Sequence, residues 1–522
     1  MALSDKTFLH AFQKQAARTP QRIALSDATK VTITYGQAQK YANYVSQKVT
    51  EAGVGRGDIV ALYLGRTAFF PVAAIGVFQA GAAYMPIDPR YPDSRIEFML
   101  EDSEAKVLIT SRDLASHTAA YTGTVLYAED LWVEQEATPE PIIDGNDMDY
   151  IIYTSGTTGK PKGAMNVHRG LINLVESYAG ELNFSEEDVS GVYSSFGFDA
   201  SVAQIFPFLG KGAGVDIIPS EVMLDMGMLS KYTIEHGITT MQLPASIIKF
   251  FDRVCENRAL KSVVGMGDRL TYGPSDHFKI YNMYGPSEAS VFVTSFLVDK
   301  AYTNYPIGKF FKNNCGYIVD EQMNLLPDGE AGELCLTGNH IGRGYLKRPE
   351  LTGEKFVKNP FSSDSEYETM YRTGDLCRVL PDGNYEFLGR IDTQVKIRGF
   401  RVELGEIEMT MRKYEGVKEA ICGAFEDTGR GGKYLVGYYT GDEGLDGGVL
   451  KEYLSETLPF YMIPSAFVQL DGIPLNANGK YDRNALIEPA RGGGGGGILP
   501  CRNPGRTGIG GMFMGDIPCR AA

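Results

Sequence analysis

The stretch Tyr153-Thr-Ser-Gly-Thr-Thr-Gly-Lys-Pro-Lys-Gly163 constrains the fold more than any other part of the chain. It follows Asp149-Tyr-Ile-Ile152, a short apolar run that reads as a buried strand. Its glycines and hydroxyls therefore begin where a strand of an open α/β sheet ends, the place where such sheets bind ligands. The glycines permit positive φ and let backbone N–H groups approach an anion. Thr154, Ser155, Thr157 and Thr158 add hydroxyl donors, and Lys160 and Lys162 add charge. A loop of this kind suits phosphate. Most Ser/Thr/Gly-rich stretches are flexible surface loops, but a preceding strand and eleven residues in a specific order argue for a binding loop here. The pattern is not a P-loop, because no G-x-x-x-x-G-K-[ST] is present.

Around this loop the chain alternates helix and strand. Residues 7 to 18 read as helix, Val31-Thr-Ile-Thr-Tyr35 as strand, and Ala38, Tyr41, Val45 and Val49 mark an amphipathic helix. Strands over 58–64, 105–110 and 123–127 and an apolar helix over 67–80 continue the alternation, which implies a parallel, doubly wound sheet. After the loop, Phe196-Gly-Phe-Asp-Ala-Ser-Val202 places Asp199 at a helix start, where the ordinary role of an acid is an N-cap. His236 to Pro244 reads as a strand leading into a helix over Ala245 to Val254, and Leu260 to Gly267 as a strand ending in glycine. Phe278-Lys-Ile-Tyr-Asn-Met-Tyr-Gly-Pro-Ser-Glu288 repeats the scheme of strand, turn and acid. Beyond residue 290 the strands shorten, with Ser290 to Val298, 332–338 and 383–388 pointing to a β-rich subdomain. Residues 393 to 488 form a separate α+β pattern, and Gly492 to Ala522 is a Gly, Pro and Arg-rich stretch that reads as a flexible tail or vector-derived sequence.

Composition limits the partners. A net charge of −15 lacks the clustered cations that a nucleic-acid or anionic-membrane surface needs, so Lys160 and Lys162 are expected to serve a small ligand. The seven cysteines form no C-x-x-C pair, which disfavours zinc or a disulfide framework. With no signal-peptide pattern at the start and no apolar run of 18 residues, the expectation is a cytoplasmic protein without membrane contact.

Tyr153 to Gly163 resembles the signature loop of the adenylate-forming superfamily, which comprises acyl-CoA synthetases, luciferases and the adenylation domains of nonribosomal peptide synthetases. Further stretches extend the resemblance over residues 7 to 488. They are Gln79 to Pro89, Asn282-Met-Tyr-Gly-Pro-Ser-Glu288 with Ser287 in place of the usual threonine, Tyr371-Arg-Thr-Gly-Asp-Leu376, Gly389 to Glu408, Leu458 to Pro464 and Asn478-Gly-Lys-Tyr-Asp-Arg483. The resemblance implies a large N-terminal domain of doubly wound sheets with a β-rich subdomain over 1–391, and a small mobile α+β domain over 392–488. Residues 489–522 lie outside it.

It also implies the site. ATP would be met by Thr154, Ser155, Gly156, Thr157, Thr158, Gly159 and Lys162, by Asn282, Met283, Tyr284, Gly285, Pro286 and Ser287, and by Phe387, Arg390 and Lys480. Asp375 would accept both ribose hydroxyls, as a carboxylate's two oxygens can. Glu288 would hold Mg²⁺, Thr154 and Lys480 would act with it in catalysis, and Asp392 would be the hinge. In amino-acid-activating members an acid at the place of Asp199 pairs with the substrate ammonium. Its pocket would be lined by Ala200, Ala203, Gln242, Val264, Met266, Gly267, Met283, Val291 and Phe292, all uncharged. The implied activity is formation of an aminoacyl-adenylate from ATP, with transfer to a phosphopantetheinylated carrier protein. A D-alanine–carrier-protein ligase, an acyl- or aryl-CoA ligase and a silent nucleotide-binding module remain as alternatives.

Overall fold

The structure, a computed structural model, describes residues 7–29, 31–137, 143–156, 159–397, 399–427, 432–475 and 481–489. Two sheets enclose a layer of helices. The first runs Lys309–Phe310, Thr294–Leu297, Lys279–Tyr284, Ser262–Met266, Thr240–Pro244, Val189–Val192, Gly214–Ile217, Ile23–Asp27 and Thr32–Thr34 in spatial order. Its interior, from Lys279–Tyr284 to Ile23–Asp27, is parallel, and both ends are antiparallel. The second runs Gly344–Tyr345, Lys162–Val167, Met148–Thr154, Ala83–Ile87, Ile59–Tyr63, Val107–Thr110 and Thr124–Tyr127. The expected doubly wound α/β architecture is present, as two such sheets.

Helices Phe8–Arg18, Tyr35–Glu51, Phe69–Gln79, His168–Leu182 and Ala200–Lys211 share one apolar cluster with inward residues of both sheets, among them Leu25, Val215, Val60 and Tyr150. Phe69–Gln79 is buried along its whole length, as expected of a helix that is apolar all round and lies between two layers. A five-stranded antiparallel sheet, Asn314–Val319, Gly332–Gly338, Thr369–Val379, Phe356–Lys358 and Tyr385–Arg390, supplies the β-rich texture beyond residue 300.

The C-terminal residues form the hairpin Gln394–Ile397/Phe400–Glu403, helices Leu404–Arg412 and Gly447–Ser455, and the sheet Val417–Glu426, Lys433–Gly441, Ala466–Gln469. They pack on the outer face of the second sheet, where Ile397, Val402, Leu404 and Ile407 join Ala61, Met85, Ile151 and Tyr153 in one apolar cluster.

Several elements differ from the sequence expectation. Val31 to Tyr35 reads as strand from its β-branched run, yet only Thr32–Thr34 pairs, because Thr34 caps the next helix by accepting from Gln37 N at 3.3 Å. Ser290 to Val298 reads as one strand, but Ser290 and Val291 take φ of 46° and 74°, so pairing starts at Thr294. The helix expected over Ala245 to Val254 is a 3₁₀ turn, Ala245–Ile247, followed by the short helix Ile248–Asp252.

Candidate active site

Strand Met148–Thr154 leads into the loop expected to hold phosphate, and the chain returns through the antiparallel strand Lys162–Val167, so Thr154 faces Lys162 across the ladder. The loop therefore spans the tip of a rigid pair. Thr154 Oγ1 is buried without a hydrogen-bond partner, a donor that a phosphate oxygen would satisfy. Thr157 and Thr158 lie outside the described residues, as does Lys480.

Lys162 is buried over the Tyr345 ring, and burial, reinforced by nearby Arg401, lowers its ammonium to about 8. Its Nζ donates to Tyr345 Oη at 3.4 Å, and that hydroxyl donates to Glu288 Oε1 at 2.6 Å. Glu288 is fully buried. Burial alone would raise its carboxyl, but Arg401 and Lys162 outweigh it and bring it to about 2. Beside it, Ser287 Oγ donates to Asp199 Oδ2 at 2.5 Å. An unbroken run of contacts thus joins Asp199, Ser287, Glu288, Tyr345 and Lys162, linking the expected ammonium end of the site to its phosphate end.

Asp199 precedes helix Ala200–Lys211, yet makes no side-chain capping bond, so the ordinary N-cap role is not the one it plays. Among the described residues no cation lies within ion-pair distance of it, and burial raises its carboxyl despite the Ser287 bond. Ala203, Val264, Met266, Met283, Val291 and Phe292 are buried in the central cluster with Ala200 packed against it. Gln242 is buried too, and its Nε2 donates to Tyr178 Oη at 2.6 Å. Tyr178 also stacks on Phe292, with ring centroids 6.1 Å apart. The sequence motifs do not bring Tyr178 into the pocket, because it comes from helix His168–Leu182, outside all of them. Gly267 lies against the C-terminal hairpin, where a Cβ on it would be 2.9 Å from Gly399 Cα.

At the expected nucleotide end, Tyr284 Oη donates to Asp375 Oδ2 at 2.5 Å, and Arg390 Nη1 to Asp375 Oδ1 at 2.7 Å. Arg390 also pairs with Asp392 through Nε at 2.9 Å. Asn282 spends its Nδ2 on the Pro306 carbonyl at 2.7 Å. Phe387 packs on the cluster containing Tyr284. Gly285 is required by its surroundings, since a Cβ there would meet the Val291 carbonyl oxygen at 2.2 Å. Pro286, Ser287 and Glu288 follow as the turn that carries the acid.

Glu288 is a single carboxylate, and among the described residues no group of three or more His, Cys, Asp or Glu could hold a metal. That donor set fits Mg²⁺, which takes one or two carboxylates and completes its octahedron with waters and substrate phosphates.

The family model for AMP-binding enzymes matches residues 12–346. The chain belongs to that family. It is similar to bacitracin synthase 1 of Bacillus licheniformis, 41% identical over 488 residues that cover 93% of this chain and 9% of that protein. It is likewise 39% identical over 495 residues to gramicidin S synthase 2 of Aneurinibacillus migulanus, covering 93% and 11%. The chain therefore spans about a tenth of the length of these relatives. An artificially fused adenylation–PCP di-domain of a nonribosomal peptide synthetase from Klebsiella oxytoca superposes with a TM-score of 0.79 at 25% identity, covering 88% of this chain and 93% of that one. A four-domain nonribosomal peptide synthetase solved with AMP and glycine gives 0.66 at 30% identity, over 96% and 38%.

Proposed function

We propose that the chain activates an α-amino acid as its adenylate and passes the acyl group to the phosphopantetheine thiol of a carrier protein, in nonribosomal peptide synthesis. The observation that carries this reading is Asp199, a carboxylate with no cation within ion-pair distance among the described residues, set beside Ala200 of the central apolar cluster and linked through Ser287 to Glu288. A carboxylate in that setting selects an ammonium, because an unpaired buried charge is costly for either partner. Relatives named as peptide synthases, and a similar structure that joins an adenylation domain to a carrier protein, support it.

In the first half-reaction a carboxylate oxygen of the amino acid attacks the α-phosphorus of ATP. The bond from that phosphorus to the bridging oxygen breaks, and pyrophosphate leaves. In the second, the carrier sulfur attacks the acyl carbon, AMP departs with the bonding pair, and the thiol proton passes to solvent. No side chain need become covalently attached. The protein aligns the reactants and stabilises charge. Asp199 fixes the ammonium, Thr154 and Ser155 offer hydroxyls to phosphate oxygens, and Lys162 places a buried cation beside them. Asp375 receives the ribose diol, with Tyr284 and Asn282 at the adenine. Glu288 would hold Mg²⁺, which neutralises phosphate charge when bound.

On this mechanism the chain divides at the hinge Asp392, with the core in 1–391, a small domain in 392–488 that brings Lys480 to the α-phosphate, and a tail in 489–522. Among the described residues no helix is long and apolar enough to cross a membrane, and a cytoplasmic setting suits the substrates. Lys480→Ala is expected to cut amino-acid-dependent ATP–pyrophosphate exchange about 10²–10³-fold, the usual cost of one such charge donor, while ATP binding persists. Exchange near the unmodified rate would remove Lys480 from the mechanism.

A further inference from the structure

Glu288 and Ser155, which this mechanism assigns to the cation and the phosphates, and the Gly156 N–H of the same loop are all engaged by one short segment of the C-terminal hairpin and the helix after it. Arg401 Nη1 contacts both oxygens of Glu288, at 3.1 and 2.9 Å. Ser155 Oγ donates to the Arg401 carbonyl at 3.0 Å and accepts from Glu403 N at 3.1 Å. Gly156 N donates to Glu406 Oε2 at 3.2 Å. Glu406 is itself buried and anchored by Arg95 at 3.2 Å, and the Met409 side chain lies over Gly159. The charges are arranged in order: a guanidinium sits on the carboxylate that suits a divalent cation, and a carboxylate sits on the backbone N–H that suits an anion.

We propose that the segment Arg401–Glu406 is a built-in competitor of magnesium pyrophosphate, Arg401 taking the cation's place on Glu288 and Glu406 the anion's place on Gly156 N–H. The proposal rests on the reading of the loop and Glu288 as the phosphate and metal site. Glu288 cannot accept Arg401 and a divalent cation together, because its oxygens are enclosed by Tyr345 and Arg401. This closed arrangement and bound magnesium pyrophosphate therefore exclude one another, and while it persists pyrophosphate cannot return to reverse the adenylation. Its charge complementarity replaces the departing ions, so the emptied site is not left with a buried unpaired carboxylate.

The test is binding, without turnover. Magnesium pyrophosphate is titrated calorimetrically into the unmodified protein, Arg401→Gln and Arg401→Lys at one Mg²⁺ concentration. Removing the competing cation is expected to tighten binding about tenfold in Arg401→Gln, with Arg401→Lys close to the unmodified protein. In the unmodified protein, hydrogen exchange over Phe400–Glu403 is expected to rise on saturation with magnesium pyrophosphate, since the Glu403 amide loses Ser155. Equal or weaker binding by Arg401→Gln, or unchanged exchange over Phe400–Glu403 at saturation, overturns the competition alone. Absence of magnesium pyrophosphate binding in all three proteins overturns the phosphate-site reading together with it.

Discussion

Two imidazoles show how a buried residue writes itself into the pH dependence of the whole fold. His168 packs edge-on to Phe78 and His340 to Phe311, and burial lowers them to about 4 and about 3. Both stay neutral in the fold at a pH where the unfolded chain, with imidazoles near 6.5, takes up protons. Unfolding therefore binds protons below that value, and stability falls as pH drops from about 6.5 towards 4, by about 2 kcal/mol per histidine at pH 5. Denaturant unfolding at pH 7.5 and 5 should show a smaller loss in His168→Phe/His340→Phe than in the unmodified protein; equal losses would mean that the rings protonate within the fold. The same scale shows which site residues could be read from sequence. Asp199 and Glu288 stand out because a charge sits in an otherwise apolar or turn-forming stretch. Tyr178 and Arg401 do not, because their roles arise from contacts with Gln242 and Glu288, 64 and 113 residues away.

At the scale of elements, Gly76 of helix Phe69–Gln79 lies directly against the neighbouring helix Tyr35–Glu51. A Cβ on Gly76 would lie 2.6 Å from Val45 Cβ and 2.8 Å from the Ala42 carbonyl oxygen. Alanine improves helix propensity by about 1 kcal/mol, but overpacking a filled core costs about 1–3 kcal/mol. With backbone as well as side chain in the way, the second effect should win. Gly76→Ala is expected to lower the denaturation midpoint with no change in denaturant dependence, and a raised midpoint would show that the helices separate without cost. Periodicity made Tyr35–Glu51 legible and a continuous apolar run made Phe69–Gln79 so, and the parallel sheets followed from the alternation. Where a local contact decides the backbone, as at the Thr34 cap or the positive φ of Ser290 and Val291, composition pointed to longer strands than exist.

For the whole molecule, the hairpin Gln394–Ile397/Phe400–Glu403 packs over the phosphate loop and Glu288. On the proposed mechanism Lys480 and the carrier thiol need the same place in turn, so residues 392–488 must rotate about Asp392 between half-reactions. Asp392→Pro restricts φ at that point and should block one half-reaction at least tenfold in single-turnover assays, whereas Asp392→Ala, which loses only the carboxylate facing Arg390, should spare both. Unimpaired half-reactions in the proline variant would place the hinge elsewhere. The motifs made the core readable, but the docking of the C-terminal segment was not, because it depends on apolar contacts and charge pairs formed between residues far apart in the chain.

The central claim, an amino-acid site anchored by Asp199 and walled by uncharged residues, is tested most directly by ATP–pyrophosphate exchange across the amino acids. On the proposed reading the small side chains of Ala200 and Ala203 leave room at one wall, Met266 and Met283 give an adaptable one, and one amide, Gln242, is already engaged by Tyr178. Exchange is expected to be strongest with an uncharged, fairly large side chain, aromatic or long aliphatic, and to be lost in Asp199→Ala. Strongest exchange with lysine, arginine, aspartate or glutamate, or full activity in Asp199→Ala, would contradict it.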